Sequence, residues 1–329
     1  MGILRNVLVF PRKLKQIKKQ VKVQRAFIHK HLHPILSKYH HQNDGSLSAF
    51  DFDKITNYYG IGSPVLAGEG ISGFLNKIIS DSERKSLTFM AAITGLFDDF
   101  FDRSNQSLER IKGLMTLDEE IIASTSHEKL FQDLVKSVLY TVKDKKRVQE
   151  YAEKVFLAQV ESLKQKEQSL TWDELFSITY QKGGDSLLFY RCSFDDEISP
   201  QEERCLFKIG GLVQICNDVF DVSKDLKEGV RTILTEAHDI RIVHTKIDQL
   251  QKETFGFCKS EFPGKNMDIL LEQIKFIVSQ SLVALNFYQT TQNNNGENFT
   301  PQKYPREALI CDMGKKSNLL RAGFYWITK

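Results

Sequence analysis

The chain has 329 residues, of which 41% are hydrophobic and 26% charged, with a formal net charge of +3. That is ample apolar material for a large core, yet no run reaches the roughly 18 uncharged apolar residues of a membrane-spanning helix. The N-terminus lacks the apolar segment of a secretory signal, so a cytoplasmic location is expected, and the five cysteines (Cys192, Cys205, Cys216, Cys258, Cys311) show no CxxC spacing that would indicate a disulfide framework or a thiolate metal site.

Seven prolines, 19 glycines and many Leu, Lys, Glu and Gln favour an all-α fold, because straight side chains lose little rotamer freedom in a helix. The charge is uneven. Residues 1–43 carry ten Lys/Arg and no Asp/Glu, leaving a net −7 for the remainder. Within this segment Phe10, Leu14, Ile17, Val21, Ile28, Leu32 and Ile35 recur at helical spacing while Lys13, Lys15, Lys18, Lys19, Lys22 and Arg25 take mostly other faces. Residues 1–45 are therefore expected as a basic amphipathic helix packed on the body. Its cationic face is either solvated or in peripheral contact with a membrane. Nucleic acid is not expected, since Phe27 is the only aromatic of the Phe, Tyr or Trp type between Arg12 and Lys38 and no reader motif is present.

Residues 46–329 are expected as a single all-α domain. Asn43 to Ser46 breaks the first helix, and YYGIGSPVLAGEG at 58–70 reads as a Gly/Pro-punctuated connection. Residues 71–103 give one or two helices, and 107–165 give charged amphipathic ones. Trp172 to Cys192 gives a helix interrupted at Gly183-Gly184, and another runs from about Pro200 to Lys227. Helical period continues over 234–290 with a break near 262–264. TTQNNNGENFTPQKYP at 290–305 is a loop by composition, and a last helix runs from about Arg306 to the end.

Two acidic constellations carry the chemistry. In LFDDFFDRS at 96–104, Asp98, Asp99 and Asp102 follow an apolar helical run and fall within one third of the helix circumference. In QICNDVFDVSKDLKEG at 214–229, Asn217, Asp221 and Asp225 are spaced i, i+4, i+8, and Asp218 lies within about 100° of the same face. Lys224, Lys227 and Arg231 lie close by in sequence and suit phosphate oxygens. One acidic helix end is commonplace, whereas two, each following a hydrophobic helix, point to hard divalent cations held with substrate phosphate as a remaining ligand. The expectation is that the two sets face each other across an apolar cavity and share Mg²⁺.

DDFFD resembles, residue for residue at Asp98, Asp99 and Asp102, the DDxxD motif of class I isoprenoid diphosphate enzymes, the all-α superfamily of terpene synthases and trans-prenyl diphosphate synthases. NDVFDVSKD is similar to the cyclase motif (N/D)DxxSxxxE in spacing, with Asp221 and Asp225 where Ser/Thr and Glu are usual. Its context KIGGLVQICNDVFD…DLKEG is similar to the second Asp-rich stretch of prenyl diphosphate synthases. YQKGGDSLLFY resembles the helix that in this superfamily is kinked at the active site and carries a diphosphate-directed Lys, which would be Lys182 with Gly183-Gly184 as the kink.

The resemblance implies an isoprenoid-synthase helical bundle and up to three Mg²⁺, with Mn²⁺ as a substitute. The metals would sit on Asp98, Asp99 and Asp102 and on Asn217, Asp218, Asp221 and Asp225. Lys182, Lys227, Arg231 and Arg321 would bind the diphosphate, and Tyr325 would help cover it. Lys315 and Lys316 are weaker candidates. The substrate implied is an allylic prenyl diphosphate, ionised and then cyclised or deprotonated. A counterpart of GKRxRP and an Arg-Arg-Gly after the first motif are missing, which argues against a second diphosphate substrate. A chain-elongating or head-to-head prenyltransferase and a non-catalytic isoprenoid-binding relative remain the alternatives, and a homodimer is compatible with either.

Overall fold

In the computed structural model, which describes residues 3–102, 106–167, 169–296 and 298–328, every regular element is helical and no strand occurs among those residues. The chain forms two compact units. One comprises Lys15–Gln159 and Leu188–Ile198, the other Met1–Leu14, Val160–Leu187 and Ser199–Lys329.

The first unit takes most of α1 (Ile3–His31) and α2 (His33–His41), followed by a continuous helical stretch over residues 49–74. That stretch alternates short α segments, α3 (Ala49–Asp53), α4 (Gly60–Gly62) and α5 (Glu69–Phe74), with two π-helical ones, Lys54–Tyr59 and Ser63–Gly68. The connection expected at 58–70 is therefore helix. Two of its glycines are packing notches: a Cβ on Gly68 would stand 2.3 Å from Leu87 Cδ2, and one on Gly60 would stand 3.3 Å from Ile28 Cδ1. Pro64 lies inside this stretch, at the start of its second π-helical segment.

α6 (Asp81–Asp102), α7 (Leu108–Thr116), α8 (Ser126–Thr141) and α9 (Lys145–Ser162) complete this unit, α9 crossing its boundary in the last turn. α6 buries Leu87, Phe89, Met90, Ile93, Leu96 and Phe97, and α8 buries Leu130, Phe131, Leu134 and Val138. The two helices pack extensively on each other, with Phe97 stacked on Phe131 at 6.1 Å. Burial of each such side chain contributes about 1.5–3 kcal/mol. The buried positions of α1 include two polar ones: Lys13, which the amphipathic pattern grouped with the cations of the other faces, and Gln24, which it did not single out. Gln24 donates to Gly60 O (2.8 Å) and Thr88 Oγ1 (2.9 Å), which satisfies its buried amide.

The second unit is built on α10 (Trp172–Arg191), α11 (Pro200–Glu228), α12 (Ile240–Glu261), α13 (Lys265–Asn295) and α14 (Lys316–Thr328). α11 starts where its sequence says it should. Ser199 caps it by accepting from Glu202 N, Pro200 fills the first turn, and Gly229 (φ +68°) ends it in the left-handed conformation. α11, α12 and α13 pack mutually, and α14 lies on α13.

α10 runs unbroken through Gly183-Gly184, so the expected interruption is absent. A Cβ on Gly183 would stand 2.3 Å from Gly210 O, and one on Gly210 would stand 2.2 Å from Gly183 O. Gly184 likewise admits the ring of Phe207, and Gly211 that of Tyr180. The four glycines let α10 and α11 approach to backbone contact.

α13 also outruns expectation, continuing to Asn295 through the polar TTQNNN, of which Thr291 and Gln292 are buried: Gln292 Oε1 accepts from Ile240 N at 3.0 Å. The segment expected as one final helix is instead a 3₁₀ turn, Arg306–Leu309, followed by α14. Among the described residues no helix is long and apolar enough to cross a membrane.

Candidate functional site

The first acidic set sits at the end of α6. Gly95, one turn earlier, leaves room for the ring of Tyr59: a Cβ there would lie 3.0 Å from Tyr59 Cδ2. From that position the Tyr59 hydroxyl donates to Asp98 Oδ2 at 2.8 Å. Burial and the negative charge of Asp98 push the Tyr59 phenol well above its ordinary range, so it stays a donor. Asp99 turns to another partner: Lys54 Nζ donates to its Oδ1 at 2.8 Å, with the carboxylate 6% exposed. His127 Nε2 stands 4.0 Å from Asp99 Oδ2, held in the first turn of α8 by the capping box of Thr125 and Glu128 and edge-on to Phe100. The side chain of Asp102 lies outside the described residues.

Lys54, Tyr59 and His127 are therefore residues that sequence reasoning missed. Lys54 and Tyr59 leave no trace near the motif because they lie 45 and 39 residues, respectively, from the aspartates they hold.

The second set lies on α11. Asp218 is 7% exposed and accepts from Thr179 Oγ1 (3.2 Å) on α10 and Gln214 Nε2 (3.3 Å). Asn217 Nδ2 donates to Asp221 Oδ2 at 2.9 Å, as i, i+4 spacing allows. Asp225 is 8% exposed, and its Oδ2 is buried without a hydrogen-bond partner. Burial, then the charge of Asp221, raises the Asp218 carboxyl to about 7 even though Gln214, Lys182 and Thr179 act the other way. Burial, then the charges of Asp218 and Asp221, raises Asp225 to about 9, and Asp221 is raised chiefly by burial.

The cationic candidates divide. Lys182, half-buried on α10, is near enough to favour the ionised forms of Asp218 and Asp221. Lys227 is exposed, and Lys224 pairs with Glu228 at 3.6 Å. Arg231 is committed elsewhere, donating to Glu167 O (2.8 Å) and Leu170 O (3.2 Å) and pairing with Glu236. Arg321 is exposed on α14 and Tyr325 half-buried beside Phe324, and among the described residues neither forms a hydrogen bond or ion pair.

Among the described residues no three His, Cys, Asp or Glu side chains already stand as a metal-ligand group. The α11 set nevertheless fits a hard cation: its donors are all oxygen, its charges repel one another under burial, and one buried carboxylate oxygen is unmatched. The α6 set fits less directly, because Asp99 already has the Lys54 ammonium. No protein-family model matches the chain, and comparison with curated proteins finds no relative.

Proposed function

We propose that the chain is a Mg²⁺-dependent class I terpene synthase that ionises an allylic isoprenoid diphosphate, releases diphosphate and lets the carbocation cyclise or lose a proton. The observation that carries this reading is the α11 face, where Asp218, Asp221 and Asp225 are crowded under burial with their carboxyls raised and Asp225 Oδ2 unmatched. An enforced carboxylate cluster of this kind is costly unless cations occupy it. The DDFFD and NDVFDVSKD resemblances support the same reading.

Magnesium, when bound, supplies Lewis-acid stabilisation to the departing diphosphate. On the protein's side, Asp98 and Asp99 on α6 and Asn217, Asp218, Asp221 and Asp225 on α11 are the ligand donors, joined by Asp102 from the motif. Lys182 contributes a positive charge beside the α11 set, where charge developing on phosphate oxygens is stabilised. Thr179 and Gln214 hold Asp218 in place. No protein nucleophile is required. The exposed cations of α1 give the enzyme a peripheral contact with anionic membrane.

The test is incubation of purified protein and Mg²⁺ with allylic diphosphates of ten to twenty-five carbons, with and without isopentenyl diphosphate. Products are read by mass spectrometry and free diphosphate is measured alongside. Cyclic or linear hydrocarbons or alcohols from the allylic diphosphate alone are expected. A longer diphosphate formed only with isopentenyl diphosphate would make the chain a prenyltransferase instead.

One observation favours a second reading, a non-catalytic isoprenoid-binding relative: the Lys54–Asp99 ion pair already satisfies one carboxylate of the first motif. Isoprenoid diphosphate binding with no diphosphate release under any metal would establish it.

A further inference from the structure

In the unit formed by Lys15–Gln159 and Leu188–Ile198, the last turn of α1, the start of α2, the first half of α6 and α8 enclose an open groove of about 520 Å³, its α6 residues Lys85 and Phe89 lying well before Asp98 on that helix. Its floor is Phe89, 1% exposed, and the imidazole of His31 also lines it. Its walls carry Lys30, Lys85 and Lys136, and Tyr140 stands at the rim, 90% exposed.

The charge here is one-sided. Several other lysines of this unit find acids: Lys38 pairs with Asp133, Lys54 with Asp99, Lys77 with Glu83 and Lys112 with Glu153. Among the described residues Lys30, Lys85 and Lys136 have no such partner. His31 Nε2 is itself buried without a hydrogen-bond partner. Burial and the nearby Lys30 and Lys85 hold its proton affinity below the ordinary range, with Asp81 opposing more weakly, which places two ammonium groups within electrostatic reach of the ring. Lys85 Nζ lies 6.0 Å from the centre of the Phe89 ring, so cation and aromatic floor are adjacent.

Three unmatched ammonium groups, an unsatisfied imidazole nitrogen and an aromatic floor in one groove are complementary to an anion that carries an apolar body. We infer that this groove binds an organic phosphate, with the phosphoryl oxygens on Lys30, Lys85, Lys136 and His31 and the apolar or aromatic body over Phe89 and against Tyr140. The volume lies within the range of small-molecule sites. This inference is independent of the acidic motifs and of the reaction proposed for them.

The experiment is calorimetric titration of the full chain, without divalent metal, at constant ionic strength. The probes are 2-naphthyl phosphate, inorganic phosphate, and phosphatidylcholine vesicles with and without phosphatidic acid. Saturable binding of 2-naphthyl phosphate, tighter than inorganic phosphate, is expected. The Lys85→Gln/Lys136→Gln variant should weaken it about tenfold or more, as loss of two charge-assisted contacts implies. Lys112→Gln, whose lysine pairs elsewhere, should leave it unchanged. Binding of phosphatidic acid vesicles alone, lost in the same double variant, would identify the phosphate as a lipid headgroup and also support the site. Absence of saturable binding to any probe, or equal binding by the double variant, overturns the inference. A circular dichroism spectrum and melting temperature unchanged from the parent show that the variant has kept its fold.

Discussion

Lys54 reaches from the π-helical stretch 54–59 to the end of α6 and holds Asp99 at 2.8 Å, while Tyr59, five residues further along the same stretch, holds Asp98 at 2.8 Å. The first acidic motif is thus gripped by one short element. The ion pair is largely buried, 15% exposed at the lysine and 6% at the aspartate. Lys54→Met should therefore destabilise the protein by about 3–5 kcal/mol, since it strands a buried carboxylate. Lys54→Met combined with Asp99→Asn should cost clearly less than the two single changes added together. Urea denaturation of the four proteins checks this, and strict additivity would mean that the pair contributes no coupling.

The raised carboxyls of α11 fix the sign of a pH effect. Burial and mutual repulsion push Asp218 and Asp225 up to about 7 and about 9 in the folded chain, against 3.8 for an ordinary aspartate. Between those limits the folded state holds more protons than the unfolded one, so stability falls as pH rises from about 4 through the folded values. Metal-free protein should melt at a lower temperature at pH 8.5 than at pH 5.5, and Asp225→Asn should flatten that slope. Adding Mg²⁺ at pH 8.5 should restore the parent far more than the variant. A variant whose melting temperature changes with pH as steeply as the parent's would refute the assignment.

The α10–α11 contact and an exposed glycine give opposite outcomes for the same substitution. Gly183→Ala must displace Gly210 O, which a Cβ would approach to 2.3 Å, and should cost several kcal/mol, in the range of overpacked cores or above. Gly256→Ala lies exposed in α12 with nothing within 4 Å of the new methyl, and should stabilise by about 0.4–1 kcal/mol. Thermal melts of the two variants against the parent decide both.

For the proposed membrane contact of α1, Lys15, Lys18, Lys19 and Lys22 are all exposed. Replacing the four with Gln should abolish most co-sedimentation with vesicles rich in phosphatidylserine and leave the melting temperature near the parent's. Truncation would be a poor test, because Lys13 and Gln24 of the same helix are core residues. Undiminished co-sedimentation would remove the membrane from the protein's partners.

Much of the helical order was legible in the sequence. The helix read from about Pro200 to Lys227 is α11, Pro200–Glu228, and the apolar period of α6 and α8 gives their buried faces. The failures share a cause. Gly60, Gly68, Gly183 and Gly184 read as punctuation, yet what decides a glycine is often the neighbour that needs its missing Cβ, and that neighbour is remote in sequence. TTQNNN reads as loop, yet Gln292 is fixed by a backbone N–H more than fifty residues away. At the acidic motifs the carboxylates themselves were legible. Their partners Lys54, Tyr59, His127 and Thr179 were not, because no local pattern marks a side chain that matters only through a tertiary contact.

The facing glycines Gly183 and Gly210 also act as a ruler. Two helices whose main chains interlock at one level cannot slide along each other, so the axial offset between them is set to a fraction of a residue. Thr179 lies one turn before Gly183, and Asp218 about two turns beyond Gly210. That offset is what lets a hydroxyl on one rod meet a carboxylate on the other. A slip of a single 1.5 Å step would part them. The alignment of the acidic face is thus governed from a place where there is no side chain at all.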